Sequence, residues 1–252
     1  MVEGLEWWGS YEAARVIGVS GWMESEIVSQ FKVPPQKVVE IPNAVDVSKF
    51  ERPVDIEATR RKWGVGPGER LIAAVGRLTS QKGFDDLIRA YPAIRKSVPD
   101  ARLLVMGDGY MRGELEALAT SEQVRSSTTF AGFVSDTDLV DAIKSSDVVA
   151  VPSRFEPFGI VALEAMAAGV PVVVSRVGGL AEIVDDAVDG LEVKPNSPAS
   201  VADGVVRLLS DRAFASRLAA KARDKVKAYN WESSARRTLE AYEAAIGDSR
   251  YE

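Results

Sequence analysis

The sequence predicts an α/β protein in which a parallel β-sheet is covered by helices on both faces. Two observations lead to this prediction. Short and almost unbroken apolar segments recur between residues 71 and 193, and amphipathic segments of helical period lie between them. Parallel strands that are buried on both faces appear in a sequence as apolar runs, and each crossover between them needs a helix.

The strands and helices of this unit follow each other in regular alternation. The predicted strands span 71–75, 102–106, 128–131, 148–151, 172–175 and 191–193. The predicted helices span 84–97, 111–119, 136–145, 159–168, 180–186 and 199–209. Residues 211–246 are helical in pattern, with a break near Tyr229-Asn230-Trp231. In such a sheet, ligands bind at the carboxyl ends of the strands.

A different segment precedes this unit. It begins with helix-like sequence through Trp7 and Trp8, continues with an apolar run at 16–19, and has a second helical stretch that ends near Lys32. Pro34-Pro35 breaks that helix, and 38–41 is expected to form a strand. Residues 51–68 are charged and rich in glycine and proline, which predicts a connection into the next unit.

Composition excludes several kinds of chemistry. The chain has 252 residues, a net charge of −6 and neither cysteine nor histidine, and its pI is about 5.0. An acidic body disfavours nucleic acid or an anionic membrane as the main partner. The absence of cysteine and histidine excludes disulfides, Ser-His-Asp catalysis and the usual zinc ligands. The N-terminus does not resemble a signal peptide, and the apolar run around residues 170–174 is far shorter than the roughly 20 residues of a membrane span. A cytoplasmic protein is therefore expected.

The loop after the first strand of the main unit, residues 76–83, carries two cations, Arg77 and Lys82, with glycine at each end. Glycine lets the backbone approach a ligand closely, and an Arg–Lys pair suits a diphosphate. Two solvated surface cations are the alternative, and the residues themselves leave the two readings about equal. The next strand is followed by Gly107-Asp108-Gly109, which has no third glycine at the dinucleotide spacing. A tight turn is the preferred interpretation there, and an NAD-dependent dehydrogenase is disfavoured.

Two carboxylates stand out in residues 154–174. Glu156 precedes a Pro-Phe-Gly turn that starts a helix, and Glu164 is the only charge between residues 158 and 174. At helical spacing, Glu164 has only apolar neighbours, so it needs a partner from elsewhere. A pair of sugar hydroxyls could be that partner, and so could a cation such as Arg176. Further along, Gly178-Gly179 precedes another helix, where backbone N–H groups could bind phosphate or simply form a loop.

Taken together and in order, these segments resemble a known family. Residues 156–173 are similar to the E-x7-E signature of retaining GT-B glycosyltransferases, family four (glycosyl transferases group 1), and 76–83 resembles their Arg/Lys loop. The segments 132–134, 177–184 and 190–191 and the late Trp231-Glu232 are similar as well. The resemblance runs from about residue 12 to the end. It implies a Rossmann-like sheet, the second domain of the GT-B fold.

The resemblance also implies roles for individual residues. Arg77 and Lys82 would hold the diphosphate of a nucleotide sugar, such as a UDP-sugar, and stabilise the leaving nucleotide. Glu156 would orient the donor sugar, and Glu164 would accept the ribose hydroxyls. Backbone groups would complete the donor site. The implied catalytic residues are Arg77, Lys82 and Glu156, and the implied donor-binding residues are Gly76, Val134, Phe158, Gly159, Ile160, Glu164, Gly178 and Gly179. No metal and no cofactor besides the donor substrate is implied.

The resemblance divides the chain into three parts. Residues 1–45 would be the end of a first GT-B domain, 46–228 the nucleotide-sugar-binding domain, and 229–252 a helix that crosses to the first domain. Most of the first domain, which binds the acceptor, would be absent or supplied from elsewhere. Catalysis by this chain alone is therefore not expected, the acceptor is unknown, and any peripheral membrane association would involve the missing domain.

Two alternatives remain open. Residues 155–159 and the Trp231 tail also suit a glycogen- or starch-synthase-like glucosyltransferase. A non-catalytic nucleotide-sugar-binding module, which docks a partner through Trp7, Trp8 and the terminal helices, is the alternative from another functional class.

Overall fold

The computed structural model describes residues 2–248, with side chains described for residues 7–247. The last four residues of the predicted crossing helix, 249–252, lie outside the described residues. The N-terminal part contains α1 (Val2–Glu12), β1 (Val16–Gly18), α2 (Gly21–Phe31) and β2 (Val38–Glu40), and β1 and β2 form a small parallel sheet of their own. A connection with one short helix, α3 (Ile56–Lys62), leads to the main unit.

The main unit alternates strands and helices as the sequence predicts. Its strands are β3 (Arg70–Val75), β4 (Ala101–Met106), β5 (Thr128–Gly132), β6 (Val148–Val151), β7 (Val172–Ser175) and β8 (Leu191–Val193). Its helices are α4 (Phe84–Ser97), α5 (Arg112–Ser121), α6 (Asp136–Lys144), α7 (Ile160–Ala168), α8 (Leu180–Ile183), α9 (Pro198–Ser210) and α10 (Arg212–Lys225). The C-terminal helix α11 (Trp231–Asp248) follows after a break at residues 229–230.

All six strands of the main sheet are parallel and lie in the order β5-β4-β3-β6-β7-β8. This is the doubly wound order of a Rossmann sheet, which confirms the predicted fold class. The direction of winding reverses between β3 and β6, because the chain moves outward to β4 and β5 on one side and to β7 and β8 on the other. The crevice above these two central strands is the place where such sheets bind ligands.

One predicted helix was wrong in extent, and the predicted connection contains a helix that the sequence pattern did not predict. The connection at 51–68 contains α3, a helix whose first turn is capped by the side chain of Asp55, which accepts from Ala58 N at 2.9 Å. The helix predicted over 180–186 ends at Ile183, because Val184 is extended and the N–H of Asp185 donates to Asp189 Oδ1 at 2.8 Å.

Apolar side chains fill both faces of the sheet. On one face, residues of β3 and β4 such as Ile72 and Leu103 pack with α4, α5 and α9, and on the other face Ala73 and Leu104 pack with α6 and α7. A separate small cluster around Ile27, together with Val33 and Val38, holds the N-terminal sheet against α2. Among the described residues, no helix is long and apolar enough to cross a membrane.

Candidate functional site

The two central strands deliver the two loops that the sequence singled out. β3 ends at Val75 and runs into the loop that carries Arg77 and Lys82, and β6 ends at Val151 and runs into the loop that carries Glu156. Both loops lie at the carboxyl edge of the sheet, where the winding reverses. The parallel topology therefore brings together residues that are more than 70 positions apart in the sequence.

Lys82 and Glu156 form an ion pair between these loops. Lys82 Nζ donates to Glu156 Oε2 at 2.6 Å, and the buried hydroxyl of Ser153 donates to the same oxygen at 3.1 Å. Glu156 is only 8% exposed, so this pairing compensates for the burial of its charge. Within the described part of the chain, Glu156 Oε1 receives no hydrogen bond, which leaves it as the oxygen that can accept from a ligand.

The two loops also touch through their backbones. Gly83, which ends the turn that carries Lys82, has φ +63°, and a Cβ at this position would lie 2.1 Å from the carbonyl oxygen of Pro152. Only glycine permits so close an approach in this backbone conformation. The glycine at the end of the Arg/Lys loop therefore sets the separation between the cation and the carboxylate.

Arg77 differs from Lys82 in being exposed and unpaired. The described residues provide no hydrogen-bond or ion-pair partner for its guanidinium. Arg77 borders an open cleft of about 420 Å³ that is also lined by Gly76, Val134 and Asp136. Phe133, at the rim of this cleft, is 90% exposed. A free cation beside a cleft of this size can accommodate a phosphate that is attached to a larger group.

The Gly107-Asp108-Gly109 turn forms the floor beside this loop. A Cβ on Gly107 would lie 2.0 Å from the carbonyl oxygen of Gly76, and one on Gly109 would lie 2.4 Å from that of Leu78. Leu78 N–H also donates to Asp108 O at 2.9 Å. These glycines are needed because the turn after β4 packs directly under the Arg77 loop.

The start of α7 presents unused backbone donors. In the described structure, the N–H groups of Phe158, Gly159 and Ile160 have no hydrogen-bond acceptor. They precede the first hydrogen-bonded turn of a nine-residue helix. Such N–H groups and the positive end of the helix dipole favour an anionic or hydroxyl-bearing ligand. They follow directly on Glu156 in the chain.

Glu164 lies about one helical turn after the start of α7 and is mostly buried. Burial raises the pKa of its carboxyl group to about 7, while Lys49 acts in the opposite direction. No described residue forms a hydrogen bond or an ion pair with it. Arg176, the cation proposed as its structural partner, instead lies 3.4 Å from Glu192 Oε2. The ion-pair alternative with Arg176 was therefore wrong.

The loop after β7 packs tightly against the Glu156 loop. Gly178 has φ +49°, and a Cβ there would lie 2.2 Å from Glu156 O. The N–H of Gly179 donates to that same carbonyl oxygen at 3.0 Å. The N–H of Gly179 is thus already hydrogen-bonded within the protein. Gly178 and Gly179 together fix the backbone of Glu156. Their predicted contact with phosphate stays a prediction.

The N-terminal segment contacts the same loops. The hydroxyl of Ser20 donates to Pro157 O at 2.7 Å, and the carboxylate of Glu182 in α8 accepts from the N–H groups of Gly21 at 3.0 Å and Trp22 at 2.5 Å. The Trp22 ring also meets Phe155 edge to face, with centroids 5.3 Å apart. Sequence patterns do not reveal these contacts, because they join residues more than 130 positions apart.

The comparisons with known proteins agree with this geometry. Residues 55–225 match the family described as Glycosyl transferases group 1. This chain belongs to that family. An uncharacterised glycosyltransferase of Methanocaldococcus jannaschii is 43% identical over 249 residues, which is 97% of this chain and 64% of that protein. The glycogen synthase of Mycobacterium tuberculosis is 34% identical over 245 residues, covering 97% of this chain and 57% of the relative.

Solved structures of the same fold extend the comparison. Anabaena HepE in complex with UDP and glucose has a TM-score of 0.89 and 24% identity, over 96% of this chain and 66% of that one. Sucrose-phosphate synthase from Thermosynechococcus elongatus has a TM-score of 0.84 and 29% identity, over 98% of this chain and 62% of that one. The architecture is therefore the Rossmann-like second domain of GT-B glycosyltransferases. The chain spans about three fifths of the length of the curated relatives it matches.

Within this group 1 glycosyltransferase chain, six of the predicted residues fall into three sets. Lys82 and Glu156 are in direct contact, Gly76, Arg77 and Val134 line the open cleft, and Glu164 lies within electrostatic reach of Asp136, which also borders that cleft. The residues that sequence reasoning missed are Ser153, which fixes Glu156, and the contacts made by Ser20 and Glu182. Among the described residues, no group of three or more acidic side chains is arranged to hold a metal ion.

Proposed function

We propose that this chain binds the donor in a glycosyltransferase that moves a sugar, with retention of configuration, from a nucleoside diphosphate sugar to an acceptor. The observation that carries the proposal is the juxtaposition at the switch point of the sheet. Lys82 and Glu156 are paired there, 2.6 Å apart, with the unpaired Arg77 on the same loop as Lys82.

Each group has a chemical task in this proposal. Arg77 and Lys82 bind the diphosphate and stabilise the negative charge that develops on it as the bond to the sugar breaks. Glu156 Oε1 orients a donor-sugar hydroxyl near the reacting carbon. The free N–H groups of residues 158–160 bind the sugar or the phosphate, while Gly178 and Gly179 shape the loop beside them.

The nucleoside is assigned to the cleft beside Arg77. Backbone groups at Val134 contact the base, and Glu164 accepts hydrogen bonds from the ribose hydroxyls. Glu164 suits this task because it is mostly buried and has no partner among the described residues. A diol that donates two hydrogen bonds would satisfy both carboxylate oxygens.

Retention fits a same-face substitution in which the leaving phosphate itself removes the proton from the acceptor. Arg77 and Lys82 would stabilise that phosphate, and Glu156 would stabilise the positive charge on the sugar ring. Nuclear magnetic resonance of the freshly formed product tests this step. An inverted anomeric centre would contradict it.

The division of the chain is also proposed. Residues 1–45 would close a first, acceptor-binding domain, 46–228 would form the donor domain, and the helix from residue 229 onward would cross to the first domain. An exposed apolar stripe on α11, which includes Trp231, Leu239, Tyr242 and Ile246, supports this proposal. The relatives are longer than this chain, which leaves room for such a domain.

Calorimetric titration with UDP-, ADP- and GDP-sugars tests donor binding. We expect one of them to bind with a stoichiometry of one, and UDP is tested first because it is the ligand of the HepE complex. An absence of heat with all three, for a folded protein, would overturn the proposal.

A glycogen-synthase-like glucosyltransferase is a second candidate within the same family. The 34% identity with the mycobacterial glycogen synthase favours it. Clear preference for ADP-glucose and elongation of an α-glucan would support this candidate. A preference for another sugar would exclude it.

A non-catalytic binding module is a third candidate. The exposed rings of Trp7 and Trp8, which are 42% and 60% exposed, favour it because they offer a surface for a partner. Sugar transfer catalysed by the protein would rule this module out.

A further inference from the structure

Arg154 stands between the two central loops and contacts both of them. It lies one residue after Ser153 and two before Glu156, and it reaches across to the turn Ser80–Lys82 and to the first turn of α4. Its side chain is about one quarter exposed. Sequence reasoning assigned no role to this residue.

The guanidinium of Arg154 donates four hydrogen bonds and forms a further ion pair with Asp86. Nη1 donates to Ser80 O at 3.0 Å and to Asp85 Oδ1 at 2.8 Å, and Nη2 donates to Asp85 Oδ2 at 2.8 Å and lies 2.8 Å from Asp86 Oδ2. Nε donates to Asn196 Oδ1 at 2.6 Å, in the loop after β8. A guanidinium has five donors in a rigid plane, so this set of contacts fixes both its position and its orientation.

The backbone of Arg154 reinforces the same connection. Its N–H donates to Gln81 O at 2.7 Å, and the N–H of Phe155 approaches that oxygen at 3.2 Å. Gln81 directly precedes Lys82. Arg154 therefore holds the carbonyls of the two residues before Lys82, one through its side chain and one through its backbone.

The charges around Arg154 are balanced by this arrangement. Burial would raise the pKa of Asp85, but hydrogen bonds from Arg154 and Arg89 outweigh it, so that the pKa falls below its usual value. Burial raises the pKa of the neighbouring Asp86. The guanidinium is thus the cation that makes two adjacent acidic residues compatible with a partly buried site.

We infer that Arg154 is a positioning residue for Lys82, which it aligns with Glu156 and with the donor diphosphate by clamping the Ser80–Lys82 turn. The predicted effect on diphosphate binding rests on the proposed function, whereas the clamp on the Ser80–Lys82 turn does not. Lysine cannot replace the arginine here, because an ammonium group has three donors and no planar fork.

Arg154→Lys tests the clamp, with Arg89→Lys as the matched control. Arg89 also pairs with Asp85, at 2.7 Å, but it is more exposed and does not touch the Lys82 turn. The first readout is the labelling rate of Lys82 by an amine-reactive anhydride, followed by mass spectrometry. We expect Arg154→Lys to raise this rate several-fold and Arg89→Lys to leave it unchanged. Equal rates in both variants and the wild type would overturn the inference, whether or not a nucleotide binds.

The second readout is titration with the nucleoside diphosphate that the wild type binds and with its nucleoside. A displacement of about 1 Å in a positioned group can cost up to ~100-fold, and we expect Arg154→Lys to weaken the diphosphate about tenfold and the nucleoside less than twofold. In a Lys82→Ala background, the same substitution should cost less than twofold. A tenfold loss that persists without Lys82, or equal losses for both ligands, would contradict the inference. If the wild type binds neither ligand, the proposed function fails, and the labelling result still decides the role of Arg154.

If Arg154→Lys does not fold, Asn196→Ala provides a milder version of the test. It removes only the acceptor of Nε, and it should give a smaller increase in Lys82 labelling. No increase in a folded Asn196→Ala protein would also count against the clamp.

Discussion

At the scale of single residues, the two cations of the Arg/Lys loop have different surroundings. Lys82 is bound to a buried carboxylate, whereas Arg77 is exposed and has no partner in the described structure. Alanine at either position should weaken the binding of a nucleoside diphosphate about tenfold or more, because a charge-assisted hydrogen bond contributes about 1.5–3 kcal/mol. The nucleoside, which lacks the phosphates, should lose less than about twofold. Calorimetric titration of both ligands measures the difference.

The stability of the two variants separates their roles further. Lys82→Ala leaves the Glu156 charge buried with only Ser153 as a donor, so its melting temperature should fall, whereas that of Arg77→Ala should stay close to the wild type. Lys96→Ala is a suitable control, since Lys96 is exposed in the last turn of α4 and lies outside the two central loops. Equal losses of nucleoside and nucleoside diphosphate would mean that neither cation holds the phosphates.

Glu164 makes a prediction about pH. Burial raises the pKa of its carboxyl group from 4.5 to about 7, so the neutral form is favoured in the folded state. Its contribution to stability is fully present below pH 4.5 and is lost as the pH rises through about 7. Glu164→Gln should therefore be more stable than the wild type at pH 8 and nearly equal to it at pH 4.5. Chemical unfolding at the two pH values measures this difference.

The control for that experiment is Glu114→Gln, because Glu114 is exposed and lies outside the cleft. The same Glu164→Gln substitution should weaken ribonucleotide binding, because an amide offers one acceptor where the carboxylate offers two. Gain of stability together with loss of binding would be the pattern of a residue that is kept for its ligand. Unchanged binding would return Glu164 to a structural role.

At the scale of elements, α2 is capped at its N-terminus by Glu182, a residue of α8 that is far from α2 in the sequence. Glu182 accepts from two N–H groups at the start of α2, where a carboxylate also interacts well with the helix dipole. Glu182→Ala should lower the free energy of unfolding by about 1 kcal/mol. Urea unfolding monitored by tryptophan fluorescence measures it.

Glu24→Ala is the matched change, since Glu24 lies in the same first turn of α2 and makes no bond to α8. A loss confined to Glu182→Ala would locate the effect in the contact between the elements. Equal losses of unfolding free energy in the two variants would mean that the effect comes only from negative charge near the start of α2.

Elements were also the level at which the sequence was most informative. Apolar runs and amphipathic segments were enough to predict all six strands of the main sheet, and also that the sheet is parallel and buried on both faces. The pattern failed for α3, because a seven-residue helix flanked by Pro53 and the Gly64–Gly68 turn contributes little periodicity. The predicted site residues came largely from a family resemblance. Long-range pairs such as Lys82–Glu156 and Arg154–Asp85 have no local signature, because they exist only once β3 and β6 lie side by side.

At the scale of the whole molecule, the protein is acidic, with a net charge of −6, and the cations Arg77, Lys82 and Arg154 lie in the loops at the carboxyl edge of its sheet. A ligand that binds only the folded state stabilises it by about 2.7 kcal/mol at 100 times its dissociation constant. For a chain of this size, that corresponds to an increase in melting temperature of roughly 5–10 °C. We expect this increase with UDP or whichever nucleoside diphosphate binds. Scanning calorimetry with and without the ligand measures it.

Arg77→Ala is the control for the thermal shift, since we expect it to keep the fold and to remove one proposed phosphate contact. At the same ligand concentration, the free energy by which the ligand stabilises Arg77→Ala should be smaller by about 1.4 kcal/mol, which corresponds to a tenfold loss of affinity. The increase in melting temperature should be smaller accordingly. A shift that is identical in both proteins would place the ligand elsewhere on the molecule.

The ion pair between Lys82 and Glu156 has a consequence for selectivity among anions. Lys82 already has a counter-charge, so an incoming phosphate competes with a buried carboxylate that is supported by Ser153. At Lys82 a small free anion offers only that exchange, and even if it also pairs with Arg77 it carries no sugar hydroxyls for Glu156 and Glu164. A nucleotide sugar brings hydroxyls for both carboxylates along with its phosphates. We therefore expect inorganic phosphate to bind this site weakly, and a ligand that satisfies the released glutamate as well as the lysine to bind it more tightly.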